Sequence, residues 1–176
     1  MTLLEQLAIG DMRTTGKSAE VTAAILKNPK LFDSVFDAMW QSADAGVRMR
    51  AANVCETVTR TRPDLLQPRK RDLFQRVAPM PQQEVRWHVC QMLPHLKLTR
   101  AERRRAYAIV QSFLDDKSSI VRTFAMQAMA DFAKQDATLL PQTIALIEKL
   151  AASGTPAMRS RGKKLLKELQ HPFGQD

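Results

Sequence analysis

Cysteine is nearly absent from this chain. Cys55 and Cys90 are the only two in 176 residues; they are too few for a disulfide framework and lack Cys-x-x-Cys spacing, so both read as reduced, packed thiols. Aromatic residues are also scarce at 6%, which makes a stacking platform for single-stranded nucleic acid hard to assemble. No apolar run approaches the ~18 residues of a membrane span, and MTLLEQLAIGD carries Glu5 where a secretory signal would be positive. The expectation is a cytoplasmic protein with no membrane association. Acidic residues are outnumbered: 27 Lys and Arg against 18 Asp and Glu leave +9 and a pI near 10.0, a balance that favours polyanions or acidic protein surfaces as partners.

What the chain does have is internal repetition. Four segments align without gaps: VRMRAANVCETV from Val47, VRWHVCQMLPHL from Val85, VRTFAMQAMADF from Val121 and MRSRGKKLLKEL from Met158. Each opens with an apolar residue followed by Arg. Offsets 0, 4, 7, 8 and 11 stay apolar or small, and at about 100° per residue they fall on one helical face. The fifth position is always small or β-branched (Ala51, Val89, Ala125, Gly162), as expected where another helix approaches closely. Between these segments lie PKLFDSVFDAMW, PDLLQPRKRDLFQRVA, LTRAERRRAYAIVQSFL and LLPQTIALIEKLAA, which read as partner helices. Pro29, Pro63 and Pro141 sit where a first-turn proline is tolerated, and Thr99 with Glu102 spells a capping box. No β-strand pattern is present.

A helical hairpin repeated about every 37 residues is an α-solenoid unit. The Val-Arg step after a turn holding Asp, as in DDKSSIVR and SADAGVRMR, resembles the HEAT-repeat family over roughly residues 29–170. The resemblance implies an all-α superhelix of about four helical-hairpin repeats. The expectation is two short capping helices within residues 1–28, a flexible tail over residues 171–176, and one structural domain overall. In that family the Arg commonly pairs with an Asp six residues earlier. Only Asp116 and Arg122 keep that spacing here, so the pairing of Arg48, Arg86 and Arg159 stays open.

Candidate chemistry is thin. GDMRTTGKS, residues 10–18, ends like a phosphate-binding loop, but Gly10 and Gly16 enclose five residues rather than four and no strand precedes them. Capping of the next helix by Ser18 or Thr15 is the plainer reading. Asp115 and Asp116, the adjacent acidic pair, read as turn caps. EVRWHVCQMLPHL gathers Trp87, His88, Cys90 and His95. On a helix His88 and Cys90 point to different sides, and His88 and His95 stand about 10 Å apart in rise, too far for an undistorted zinc site. No catalytic residue, metal site or cofactor is therefore assigned.

The expected function is a non-enzymatic scaffold or adaptor, a monomer or weak oligomer. It binds a protein partner through the concave face lined by the second helices, with Arg48, Met49, Asn53, Arg86, Trp87, Gln91, Arg122, Gln127 and Lys164 as the contact residues. Trp and Arg dominate binding hot spots, so Trp87 and Arg86 are the expected anchors. The alternative expectation is sequence-nonspecific nucleic-acid binding, with Arg69, Lys70, Arg71, Arg103, Arg104, Arg105, Arg161, Lys163 and Lys167 as phosphate contacts. An alkylpurine-DNA-glycosylase-like activity, known among HEAT-like solenoids, ranks below both, because no acidic and aromatic set maps onto this chain.

Overall fold

Every apolar-Arg step becomes a helix that begins two residues before the step. In a computed structural model that describes residues 1–170, these helices are α4 (Ala45–Thr61), α7 (Gln83–Met92), α9 (Ser119–Gln135) and α11 (Pro156–Gln170). Around them come α1 (Leu3–Ala8), α2 (Ser18–Lys27), α3 (Phe32–Gln41), the short α5 (Pro63–Leu66) and α6 (Lys70–Asp72), α8 (Arg100–Ser112) and α10 (Leu140–Ser153). All regular structure among the described residues is helical. The tail 171–176 lies outside the described residues. The helices gather into two compact units, Met1–Lys97 and Leu98–Asp176.

In the first unit α4 is the central element, packed against α3 on one side and against α1, α2 and α7 elsewhere. Its apolar face is fully inside: Val47, Ala51, Val54, Cys55 and Val58 are all buried. The segment 63–77 follows a helical path but changes pitch. Pro68 lacks the N–H that would bond back to residue 64, and a tight 3₁₀ turn (Gln67–Arg69) follows α5. A wide turn over Leu73–Val77 then recovers the register and turns Leu73, Phe74 and Val77 inward. The N-terminal residues 1–28 do form two helices, α1 and α2. Thr2 and Glu5 cap α1 reciprocally.

In the second unit α9 is central, packed against α8, α10 and α11. Val121, Ala125, Ala128, Met129 and Phe132 are buried on it, as are Met158, Gly162, Leu165 and Leu169 on α11; only Leu166 of the aligned apolar set is half-exposed. Gly162 explains the small fifth position: a Cβ there would stand 2.7 Å from the Ala151 Cβ, so α10 and α11 touch at that point. Thr99 and Glu102 form the capping box of α8.

In three of the four steps the arginine has a common use. Arg48 donates from Nη1 to the carbonyls of Ser42 (2.8 Å) and Ala43 (3.0 Å). Arg86 donates from Nε to the Met80 carbonyl at 3.0 Å, and Arg159 from Nη1 to the Gly154 carbonyl at 3.0 Å. Where no Asp stands six residues earlier, the guanidinium bonds main-chain carbonyls at or just past the end of the preceding helix. Those carbonyls have no intrahelical partner and carry the negative end of the helix dipole, so a cation satisfies them twice over.

Candidate functional site: a cleft between the N-terminal loop and two helices

The site is built outward from a buried cation. Arg50 is 1% exposed, and among the described residues none of its hydrogen bonds is to a carboxylate. Its Nε donates to the Leu7 carbonyl, and its Nη1 donates to the carbonyls of Asp11 (2.9 Å) and Thr14 (3.4 Å). The loop 10–18 is thereby wrapped over α4 with carbonyls facing inward. A phosphate-binding loop needs amide donors at its centre, so this polarity is the reverse of the one the Gly-Lys-Ser ending suggests. Neither Ser18 nor Thr15 caps α2: the Ser18 hydroxyl donates to the Thr15 carbonyl at 2.6 Å, and Lys17 is the cap residue.

Glycine makes the wrap feasible. Gly16 has φ +51°, and a Cβ there would collide with the Ile9 carbonyl oxygen. Gly46 lies under the guanidinium, where a Cβ would meet Arg50 Nη2 at 2.5 Å.

Between this loop, α4 and α7 lies an open cleft of about 290 Å³. Met12, Met49 and Trp87 give it apolar walls, while Arg13, Asn53 and His88 supply polar groups, with Thr14, Thr15 and Arg50 completing the lining. The Trp87 and His88 rings lie 5.8 Å apart and tilted. His88 is buried, and burial together with the nearby Arg60 charge pushes its pKa down to about 4, so the imidazole is neutral near pH 7. Arg13 pairs with Asp11 at 3.0 Å, but both are well exposed. No carboxylate is among the lining residues.

A larger hollow of about 420 Å³ is lined by Pro63, Asp64, Gln67, Pro68, His95 and Lys97. Two of its polar side chains, Gln67 and Asp64, are already engaged. The Gln67 amide donates to and accepts from the Lys97 main chain, and Asp64 is held by Arg62 at 2.8 Å.

Three of the residues expected to meet a partner, Met49, Asn53 and Trp87, thus line one cleft. The rest of that expected face is largely covered. Met49 itself is only 8% exposed, and the residues that share its outward angle on α4, α7 and α9, namely Ala52, Glu56, Cys90, Met126 and Ala130, are buried. A central helix such as α4 or α9 is packed on more than one side, so an outward offset on it still meets a neighbour. Arg48 is committed to its carbonyls and to Gln82 at 2.8 Å. Gln91 donates to the Trp87 carbonyl and accepts from Arg60. Gln127 bridges Asp131 and Arg161. Arg122 Nε is buried without a hydrogen-bond partner among the described residues. Lys164 alone of that set is fully on the surface.

The expected phosphate contacts also divide. Arg69 is spent internally: it pairs with Asp33 at 2.8 Å, with Asp37, and with Asp72 at 3.1 Å, and stacks 4.4 Å over Phe36. That removes it from the surface set. Arg71 donates to Gln75. Arg103 is half-buried, reaching the Leu98 carbonyl and, at 3.9 Å, Asp136, and Arg161 is held by Gln127. Lys70 is half-buried, whereas Arg104 and Arg105 are exposed on α8. Lys163, Lys164 and Lys167 are exposed on α11, and with Ser160 they fall on one face of that helix.

Among the described residues no three His, Cys, Asp or Glu side chains gather to hold a metal. Burial pushes the Cys55 thiol up, which keeps it protonated and unreactive. No helix among the described residues is long and apolar enough to cross a membrane. Arg50, the residue that organises the site, has no local sequence signal, because its partners are main-chain carbonyls some forty residues away. No family model matches the chain, and neither a curated protein nor a solved structure does.

Proposed function

We propose that this is a HEAT-like helical-repeat protein that acts without catalysis, binding a protein partner through the cleft of its first unit. The repeat reading rests on the four segments in common register and on the shared use of Arg48, Arg86 and Arg159 at the inter-helix turns. The binding reading rests on one observation above all: Met49, Asn53 and Trp87 converge with the loop residues 12–15 on a single open cleft. A half-buried tryptophan flanked by methionines is the composition that adaptable protein-binding surfaces favour. His88 has no carboxylate or thiol beside it in the lining, so the cleft offers no obvious acid-base or nucleophile pair.

The test is capture from the source lysate with wild-type chain, with Trp87→Ala and with a Lys163, Lys164, Lys167 triple Ala variant. The proposal expects a partner retained by the wild type and the triple variant and lost from Trp87→Ala, with helicity unchanged. A partner that ignores Trp87 contradicts it.

A second reading, nonspecific nucleic-acid binding, is favoured by one feature: the stripe of Lys163, Lys164 and Lys167, whose neighbour Glu168 is turned to Lys134 at 2.6 Å. It expects binding to a short DNA duplex whose affinity falls steeply between two salt concentrations. No binding even at low salt removes it.

A further inference from the structure

Resting on the partner-binding reading above, we infer that the segment entering the cleft is an acidic peptide stretch of the partner, a carboxylate flanked by bulky apolar side chains. The cleft carries two guanidiniums and no carboxylate. Arg50 is buried against three main-chain carbonyls. Carbonyl dipoles stabilise its charge but do not neutralise it, so a positive potential persists on that side of the cleft.

Arg13 stands at the rim with its side chain 89% exposed. Its bonds to Asp11, from Nε at 3.3 Å and Nη2 at 3.0 Å, are solvated and therefore weak, so an incoming carboxylate has only a surface ion pair to displace. A guanidinium also receives a carboxylate through two parallel hydrogen bonds, which a simple cation cannot do.

The remaining surfaces complete the match. Trp87, Met12 and Met49 offer an apolar wall, and the side chain of Met12 is available because that residue is 44% exposed. His88 is neutral near pH 7 and so lines the cleft without adding charge, while Asn53 adds an amide. A basic segment would meet Arg13 unfavourably. A purely apolar one would leave Arg13, Asn53 and the threonine hydroxyls beneath it unpaired, which costs affinity. A nucleic-acid strand would bring phosphates, but it would use the methionine and tryptophan wall poorly.

Fluorescence anisotropy tests this with the full chain and three labelled probes: an acetylated hexapeptide of Glu alternating with Leu and Phe, its Gln counterpart, and a short DNA duplex. The Glu peptide should bind about tenfold more tightly than the Gln peptide, the margin of one charge-assisted contact. Arg13→Gln should erase most of that margin, and Trp87→Ala should weaken both peptides. Equal binding of the two peptides, or a duplex that competes for the same site more strongly than the Glu peptide, overturns the inference. If equal binding occurs while partner capture still depends on Trp87, the acidic segment is wrong and the scaffold reading stands. If capture itself ignores Trp87, the scaffold reading is what fails.

Discussion

Arg50 of α4 donates its Nε hydrogen to the carbonyl of Leu7, at the end of a helix 43 residues earlier in the chain. That bond and its two companions to Asp11 and Thr14 fasten the N-terminal segment to the first unit. Arg50→Met should lower stability by about 3–5 kcal/mol, since it removes charge-assisted bonds and leaves three carbonyls facing an apolar side chain. Arg50→Lys should recover little, because an ammonium cannot fork to acceptors placed for a guanidinium. The urea midpoint measures both, and amide exchange over residues 3–16 should speed up in step.

Gly16→Ala makes a sharper local claim. The left-handed backbone, together with the Ile9 carbonyl oxygen in the space a methyl group would need, should cost about 1–3 kcal/mol. A change within a few tenths of a kcal/mol in chemical denaturation would mean that the loop is free to move away.

How much of this is legible in the sequence depends on whether the cause is local. The buried face of Val47, Ala51, Val54, Cys55 and Val58, and its counterparts on the other repeat helices, follows from spacing alone, as does the Thr99 capping box. What lies opposite that face does not. Met49, Met126 and Ala130 point outward by angle, yet neighbouring segments bury them, and angle around one helix carries no information about those neighbours. The partners of Arg48, Arg86 and Arg159 are hidden for another reason: carbonyl acceptors exist at every residue and leave no trace in the side-chain sequence.

Arg48 tests the turn-bracing role directly. It holds Ser42, Ala43 and Gln82 together, so Arg48→Ala should cost about 1.5–3 kcal/mol, while substitution of the exposed Arg104 should stay within about 0.5 kcal/mol. Equal effects in thermal unfolding would contradict the assignment.

His88 gives the fold a pH signature. Its folded pKa, depressed to about 4 by burial and then by Arg60, lies below the ordinary histidine value near 6.5, so between those values the unfolded chain binds the extra proton. Stability is therefore full above about pH 6.5 and declines as pH falls toward 4, by up to on the order of 3 kcal/mol. His88→Gln should flatten that slope in urea titrations at pH 7 and pH 4.5. An unchanged slope would show that other groups produce it.

The most direct test of the cleft as the working surface is hydrogen-exchange footprinting of the captured complex against the free chain. Protection should appear over residues 12–15, at 49–53 of α4 and at 87–88 of α7. Protection confined to α11, around Lys163 and Lys167, with the cleft unchanged, would contradict it.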